Sequence, residues 1–357
     1  MKNKTVNAGV STANGIEFQK HCALFFWLDN YHTIKAEKYF IYIEHHEDIF
    51  FCYKNDDDNI YRIDAYQAKK SSEPWNSTTD LSEIIKKITH VGLDLYEDDA
   101  PKSSNYIHTL SFVTNDSIKL SAAKDTNSKA KVYITINAAN DTVKYTDINE
   151  QIKTKLVTTF DDDEKGQLDN VYLKYIDFPK KYEGQKAVLV YKCQSVFNEK
   201  IIDYNAAVET LLLLFRKVEN NLNNGNIARL NDTSKSVSSA EIEQSINIIT
   251  TKKLAFDFWR SKASDICKEL KIPIIEQRNF KLDFENCFDR FKDLTQTQHL
   301  NILSFVRQKM MNCNLYDELE CISWLYEEFT KENSSQLSQL SIKAAIYASY
   351  IEVKEEL

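Results

Sequence analysis

The amino-acid sequence predicts an α/β (α+β) chain: an N-terminal αβββαβ core around a mixed sheet, then an α-helical C-terminal module. Three observations carry that prediction. Aromatic and β-branched runs of strand length crowd residues 39–69. Helical spacing of apolar residues flanks them on both sides, and beyond Asp203 helical texture takes over. At 357 residues, with 43% hydrophobic and 12% aromatic content, the chain is long and apolar enough for two globular units rather than one. Only 6 Gly and 4 Pro leave little material for low-complexity linkers.

In chain order, residues 1–14 read as a flexible lead-in. Ile16, Gln19-Lys20, Ala23-Leu24 and Trp27-Leu28 then recur at helical spacing. Three strands follow at 40–44, 49–53 and 60–69, and Asn55-Asp56-Asp57-Asp58-Asn59 supplies a turn between the last two. Glu73-Pro74-Trp75-Asn76-Ser77 is another turn. Asp80-Leu81-Ser82-Glu83 has the acid-then-Glu pattern of a capped helix start, predicting a helix to about His90 that buries Ile84, Ile85 and Ile88. An acidic loop at 94–99 and Pro101 lead to a strand at 106–113. Between 115 and 200 the runs 131–136, 171–176 and 187–193 predict strands and 146–157 a helix, while Asp161-Asp162-Asp163-Glu164 reads as an exposed acidic turn.

From Asp203 onward, 206–218 is apolar on one side, and Asn220–Asn226 with Asn231–Ser236 makes a polar loop. Ser238-Ser239-Ala240-Glu241 opens another helix, with further helices at 253–270, 282–293, 297–311, 315–330 and 336–353. The predicted organisation is a first unit over 1–200, with its core at about 15–115 and an α+β extension at 116–200. A second, helical unit over 201–357 would serve partner binding or self-association.

Charge and cysteine usage bound the function. A net charge of −8 opposes free association with a polyanion, so contact with nucleic acid has to rely on local basic patches or on a partner. Seven cysteines with no CxxC pair read as reduced, buried thiols of a cytoplasmic protein. No apolar run has signal or membrane-spanning length. His45-His46 lack a second ligand pair at zinc spacing, and adjacent residues on a strand point to opposite faces. Nucleotide-binding glycine patterns, a serine nucleophile elbow and HExxH are all absent from the sequence.

The strands at 39–69 hold the chemistry. Side chains alternate along a strand, so Gln67 and Lys69 share a face and Ala68 points the other way. Asp48 stands at the mouth of the neighbouring strand. A carboxylate, an amide oxygen and an ammonium suit metal-assisted phosphodiester hydrolysis, because Mg²⁺ prefers oxygen ligands and a few carboxylates. Ordinary polar residues at strand ends are the plain alternative for all three. The same choice faces Glu44 and Glu47, which either add charge to the site or face solvent.

Gly15-Ile16-Glu17-Phe18-Gln19, Glu47-Asp48 and Gln67-Ala68-Lys69, in that order, resemble the endonuclease effector domain of bacterial anti-phage systems, a branch of the PD-(D/E)XK restriction-endonuclease-like superfamily. The resemblance covers roughly the first third of the chain well. It implies Asp48, Gln67 and Lys69 as catalytic residues, with Asp48 and Gln67 on Mg²⁺ (or Mn²⁺), and Glu47, Glu44 and Gln19 in support. Lys70, Lys86 and Lys87 are the basic residues nearest that site and candidates for phosphate contact. Trp75 either stacks on a nucleotide or packs its own turn. Gln67 departs from the superfamily's usual second acid.

Relatives of this domain are fused to SAVED sensor domains or work beside HerA-type or SMC-type ATPases. The resemblance therefore implies a double-stranded DNA substrate, an ATPase partner of one of those types and a homo-oligomer within the complex, with no membrane. The expectation is a metal-dependent DNA endonuclease effector. Its rivals are a non-catalytic adaptor, favoured by Gln67, and an RNase using the same pocket.

Overall fold

The computed structural model describes residues 8–45, 48–76, 79–124, 130–219, 229–291 and 295–356; of these, the side chains at 8–13, 44, 45, 48, 219, 248, 251–261, 355 and 356 lie outside the description. The element order is α1 (Ala8–Ile34), β1 (Lys38–His45), β2 (Asp48–Lys54), β3 (Ile60–Lys69), β4 (Trp75–Asn76), α2 (Thr79–Glu97), β5 (Lys102–Thr114), β6 (Ile118–Ala123) and β7 (Lys131–Ile136). It continues with β8 (Thr142–Lys144), α3 (Glu150–Leu156), α4 (Asp162–Gly166), β9 (Val171–Tyr175), α5 (Tyr182–Phe197), α6 (Tyr204–Glu219) and β10 (Ser236–Ser238). Five helices close the chain: α7 (Ser239–Glu269), α8 (Gln277–Arg290), α9 (Thr297–Met310), α10 (Glu318–Glu332) and α11 (Gln339–Glu356). Two compact units result, Met1–Val196 with Tyr204–Glu243, and Phe197–Asp203 with Gln244–Leu357.

The first unit is mixed α/β. Its main sheet has the order β10-β1-β2-β3-β5-β9-β8, with β3-β5 and β5-β9 parallel and the other pairs antiparallel. The αβββαβ order is present, interrupted only by β4, which leaves the main sheet to form a second one of order β4-β6-β7. Alternation along β3 sorts its side chains. Ile63 and Ala65 join the core that α2 covers with Leu81, Ile85 and Ile88. Tyr66 faces the other way and stacks on Phe26 of α1 at 4.3 Å between ring centroids.

Helix α1 is buried nearly all round in its middle, where Phe18, Cys22, Ala23, Leu24 and Trp27 are inaccessible to solvent. A helix enclosed on every side cannot be recognised by a one-sided apolar stripe. The Trp27 indole N–H donates to the Tyr39 hydroxyl at 2.7 Å, tying α1 to β1. The 55–59 turn closes as its composition requires: the Asn59 N–H donates to the Asn55 side chain at 2.9 Å, and Asp58 takes a φ of 64°.

Four sequence expectations are corrected. Residues 8–14 are the first turns of α1 rather than a lead-in. Residues 187–193 lie in helix α5 rather than a strand; the Val-Leu-Val-Tyr run has strand composition, but Gln185, Leu189, Cys193 and Phe197 fall four apart and are all buried, so packing on one face outweighs local preference. The acidic run 161–164 opens α4 with a capping box, Glu164 N–H to Asp161 at 2.9 Å and Asp161 N–H to Glu164 at 2.9 Å, and Glu164 is buried. Residues 236–238 are not loop but β10, paired with Phe40–Tyr42 at the sheet edge. Residues 1–7 and the polar stretch 220–228 lie outside the described residues.

The second unit is helical. Phe280, Phe284, Phe288, Ile302, Val306, Leu325 and Tyr347 make its core, and Phe284 stacks on Tyr347 at 4.7 Å. Helix α7 begins on the predicted cap, the Glu241 N–H donating to the Ser238 hydroxyl at 3.2 Å and the Ser238 N–H to the Glu241 carboxylate at 2.9 Å. It ends with Lys271 at a φ of 52° and the Ile272 N–H on the Cys267 carbonyl at 2.7 Å, the left-handed stop that Pro273 then enforces. All seven cysteines are free thiols; Cys313 is half-buried and the other six are buried.

Candidate active site

The C-terminal end of β3 carries Gln67 and Lys69, while Gln19 lies on α1 and Lys86 and Lys87 on α2. Gln67 is 3% exposed and Lys69 half-buried. They share one face of the strand, and the parallel register sets them beside Phe112 and Thr114 of β5. Across β3 on the other side, Ile49 of β2 pairs with Tyr66. One residue on from that pair the two strands carry Asp48 and Gln67, so their backbones neighbour each other. The side chains of Asp48 and Glu44, and all of Glu47, lie outside the described residues.

The chain just past Lys69 is pinned. The Ser71 N–H donates to the Asn115 side-chain oxygen at 2.8 Å, and the Asn115 amide donates to the Phe178 carbonyl at 3.3 Å. Lys180 donates to the Ser72 carbonyl at 2.6 Å and pairs with Asp116 at 2.9 Å. Trp75 is packed, not free: its ring meets Phe112 edge-on at 5.2 Å and its N–H donates to Thr114 at 2.9 Å. Trp75 lies in β4 rather than in the expected 73–77 turn, and its ring packs on β5 instead of on its own turn. These contacts fix the strand end that carries Lys69.

Helix α1 brings a run of polar residues into the interior. Gln19, Lys20 and His21 are each buried, and Glu17 pairs with Lys20 at 2.8 Å and with Arg216 of α6 at 3.1 Å. Arg216 also meets Glu209 at 3.0 Å, and Glu209 pairs with Lys186 of α5 at 2.8 Å. Burial pushes the Glu17 carboxyl up, but the Arg216 and Lys20 contacts outweigh it and leave it below the usual range. Burial holds His21 below its ordinary value against a 2.9 Å hydrogen bond with Gln185, so its ring is neutral at pH 7. Sequence reading named Gln19 and missed its neighbours. The available signal was three polar residues in succession inside a helix that is otherwise apolar.

The predicted basic residues divide. Lys70 is half-buried behind Lys69 and Lys87 is exposed on α2. Lys86 is already engaged, 3.3 Å from the buried Glu164 carboxylate and donating to the Thr159 carbonyl at 3.1 Å. His90 reaches the same carboxylate at 2.8 Å.

On the α1 side of the sheet lies a separate cleft of about 570 Å³ that includes Arg62, Asp64, Asp141 and Lys174. Asp64 accepts from Thr109 at 2.9 Å and lies 3.4 Å from Arg62, whose guanidinium covers the Tyr53 ring at 3.8 Å. Burial still raises the Asp64 carboxyl above its usual range. Arg62 pairs with Asp64 along β3 there, and Lys192 with Asp29, an ion pair that ties α5 to α1 beside the cleft.

Among the described residues, no three His, Cys, Asp or Glu side chains cluster in a way that could hold a metal ion, and no helix is long and apolar enough to cross a membrane.

Residues 7–220 match the family model of the Cap4 dsDNA endonuclease domain. The chain belongs to the Cap4 dsDNA endonuclease family. The match spans more than half of the sequence and runs from α1 into α6, so it takes in Gln19, Asp48, Gln67 and Lys69 together. Among solved structures, the chain is similar to the Acinetobacter baumannii Cap4 SAVED/CARF-domain containing receptor with the cyclic trinucleotide 2'3'3'-cAAA, at 15% identity and a TM-score of 0.35. That alignment covers 70% of this chain and 46% of the receptor, so the chain spans under half the length of that protein. No curated protein matches it.

Proposed function

We propose that this chain is a metal-dependent endonuclease of double-stranded DNA, of the PD-(D/E)XK type, serving as the cytoplasmic effector subunit of an anti-phage defence complex. The observation that supports the reading best is the end of β3. Gln67 and Lys69 share a face there, next to the backbone of Asp48, within a stretch that belongs to the Cap4 dsDNA endonuclease family.

The donor chemistry fits a hard divalent ion. Asp48 offers a carboxylate and the buried Gln67 an amide oxygen, an all-oxygen set suited to Mg²⁺ or Mn²⁺. When bound, the ion supplies Lewis-acid activation of phosphate and water. Lys69, half-buried and held by the pinned strand end, orients water and offsets charge developing on the phosphate. Gln19, buried on α1, and Glu44 and Glu47, beside Asp48 in sequence, support this set.

The overall charge of −8 fits a nuclease that stays restrained until a partner delivers it to DNA. By the family resemblance that partner is a HerA-type or SMC-type ATPase, with the helical unit as the surface that docks it or a second copy. Incubating the chain, alone and with the products of its neighbouring genes, with plasmid and Mg²⁺ or Mn²⁺ tests the reading. Cleavage lost in Asp48→Ala and Lys69→Ala supports it. Undiminished cleavage in both removes these residues from the mechanism, and wild type that never cuts in any combination leaves the adaptor.

A further inference from the structure

We infer that a basic groove on the β4-β6-β7 sheet binds the phosphate backbone of duplex DNA outside the cleavage site. The proposal rests on the nuclease reading above and names where that substrate is held. The groove has a volume of about 650 Å³; Ser121–Lys124 and Lys131 form one wall, and Gln151, Thr154 and Lys155 of α3 with Thr158 just past its end form the other. Among the described residues its lining holds three lysines and no carboxylate, in a chain whose net charge is −8. The cleft around Asp64, by contrast, includes Asp29, Asp64, Asp141 and Asp177. Of the two, only the first has the charge to attract a polyanion.

The local fold explains why the groove exists. Leu120, Ala122 and Ile136 turn inward to the core, so Lys119, Ser121 and Ala123 face out, paired with Thr135, Tyr133 and Lys131. Neither β6 nor β7 contains an acidic residue. Tyr133, two residues on from Lys131 and paired with Ser121, is 72% exposed beside the groove, where a deoxyribose or base edge can rest. On α3, Ile152 and Leu156 are buried, which leaves residues 151, 154 and 155 facing outward, continued by Thr158 in the turn that follows. Among the described residues, strand β4 pairs with β6 at Trp75–Ile118 and Asn76–Lys119, and α3 approaches β6 beyond residue 119. There Lys155 donates to the Ser121 carbonyl at 3.1 Å.

The groove is also placed to serve the site. Strand β4 starts six residues after Lys69, and Trp75 is bonded to Thr114, the β5 partner of Lys69. From Ile118, beside Trp75, to Ala123 the strand runs roughly 16 Å, about half a turn of B-DNA, so a duplex reaching the site can lay its flank here.

The test is duplex binding by fluorescence anisotropy over a salt series, with the full chain and a 30-base-pair probe in EDTA so that no cleavage intervenes. Lys131→Ala/Lys155→Ala should weaken binding on the order of ten-fold and make the slope of log affinity against log salt shallower by about 2. Because Lys155 also holds the Ser121 carbonyl, Lys124→Ala/Lys131→Ala serves as a second pair that leaves that bond intact, with the same direction expected. Lys69→Ala should lose cleavage yet bind within about two-fold of wild type, since one of several phosphate contacts is removed. Wild-type affinity and slope in both groove pairs overturns the groove whatever Lys69→Ala does. Normal cleavage by Lys69→Ala overturns the catalytic assignment and leaves the groove standing. An RNA duplex of the same length bound more tightly, and lost in the same pairs, overturns DNA as its occupant.

Discussion

Gln67 is the residue on which the proposed metal chemistry turns. It is buried on the face it shares with Lys69, at the position where the family resemblance implies an acid. A neutral amide oxygen binds a hard divalent ion more weakly than a carboxylate does. Gln67→Glu should therefore lower the Mg²⁺ concentration that half-saturates cleavage, read from activity against metal concentration. No change in that midpoint would take Gln67 out of the metal's coordination. Gly92 makes a second prediction at this scale. A Cβ there would meet the Gln167 side-chain oxygen at 2.7 Å and the Leu110 methyl at 2.8 Å, and Gln167 is itself bonded to His108 at 2.8 Å. Alanine's helix preference, worth about 1 kcal/mol, is outweighed by that crowding. Gly92→Ala should destabilise the fold by about 1–2 kcal/mol in urea unfolding, consistent with the cost of overpacking a filled core.

At the scale of elements, the network Lys20–Glu17–Arg216–Glu209–Lys186 joins α1, α6 and α5. Its members are partly buried, so it is worth more than an exposed pair, and Arg216→Ala should cost about 1–2 kcal/mol by leaving Glu17 with Lys20 alone. The pH dependence follows from the same residue. Glu17 has its folded value lowered, so its contribution is present above the unfolded carboxylate range and is lost as pH falls through the folded value. His21, lowered by burial, acts in the same direction, because acid must charge a ring that the fold keeps neutral. Stability measured against pH should therefore fall on acidification, and Arg216→Ala should flatten the part of that fall due to Glu17. An unchanged profile would show that the network does not set it.

At the scale of the whole molecule, the thiols report on both units. Burial raises Cys52, Cys193, Cys287 and Cys321 to about 12, and Cys22 further still, so thiolate is scarce throughout the native chain. A native titration with a thiol reagent should react slowly, with Cys313 leading as the one half-buried cysteine, whereas the unfolded chain should release all seven at once. Several thiols reacting quickly under native conditions would contradict this packing.

Period-two alternation in 60–69 and the flanking helical spacings determined the αβββαβ order, because local periodicity and core burial agree there. The Asn55–Asn59 turn and the Ser238–Glu241 cap were equally legible, since each is a local hydrogen-bond pattern written in four or five residues. Gln67 and Lys69 sharing a face needed only the geometry of one strand. Tertiary structure decided what those rules cannot reach. It made 187–193 a helix, because burial every fourth residue overrode strand-forming composition. It turned the acidic run at 161–164 into a capped helix whose Glu164 meets Lys86 and His90, and it paired β10 with β1 across nearly two hundred residues. It also collected lysines from just past β6, from β7 and from α3 into one groove, since charges distant in sequence form a field only after the chain has brought their strands and helix together.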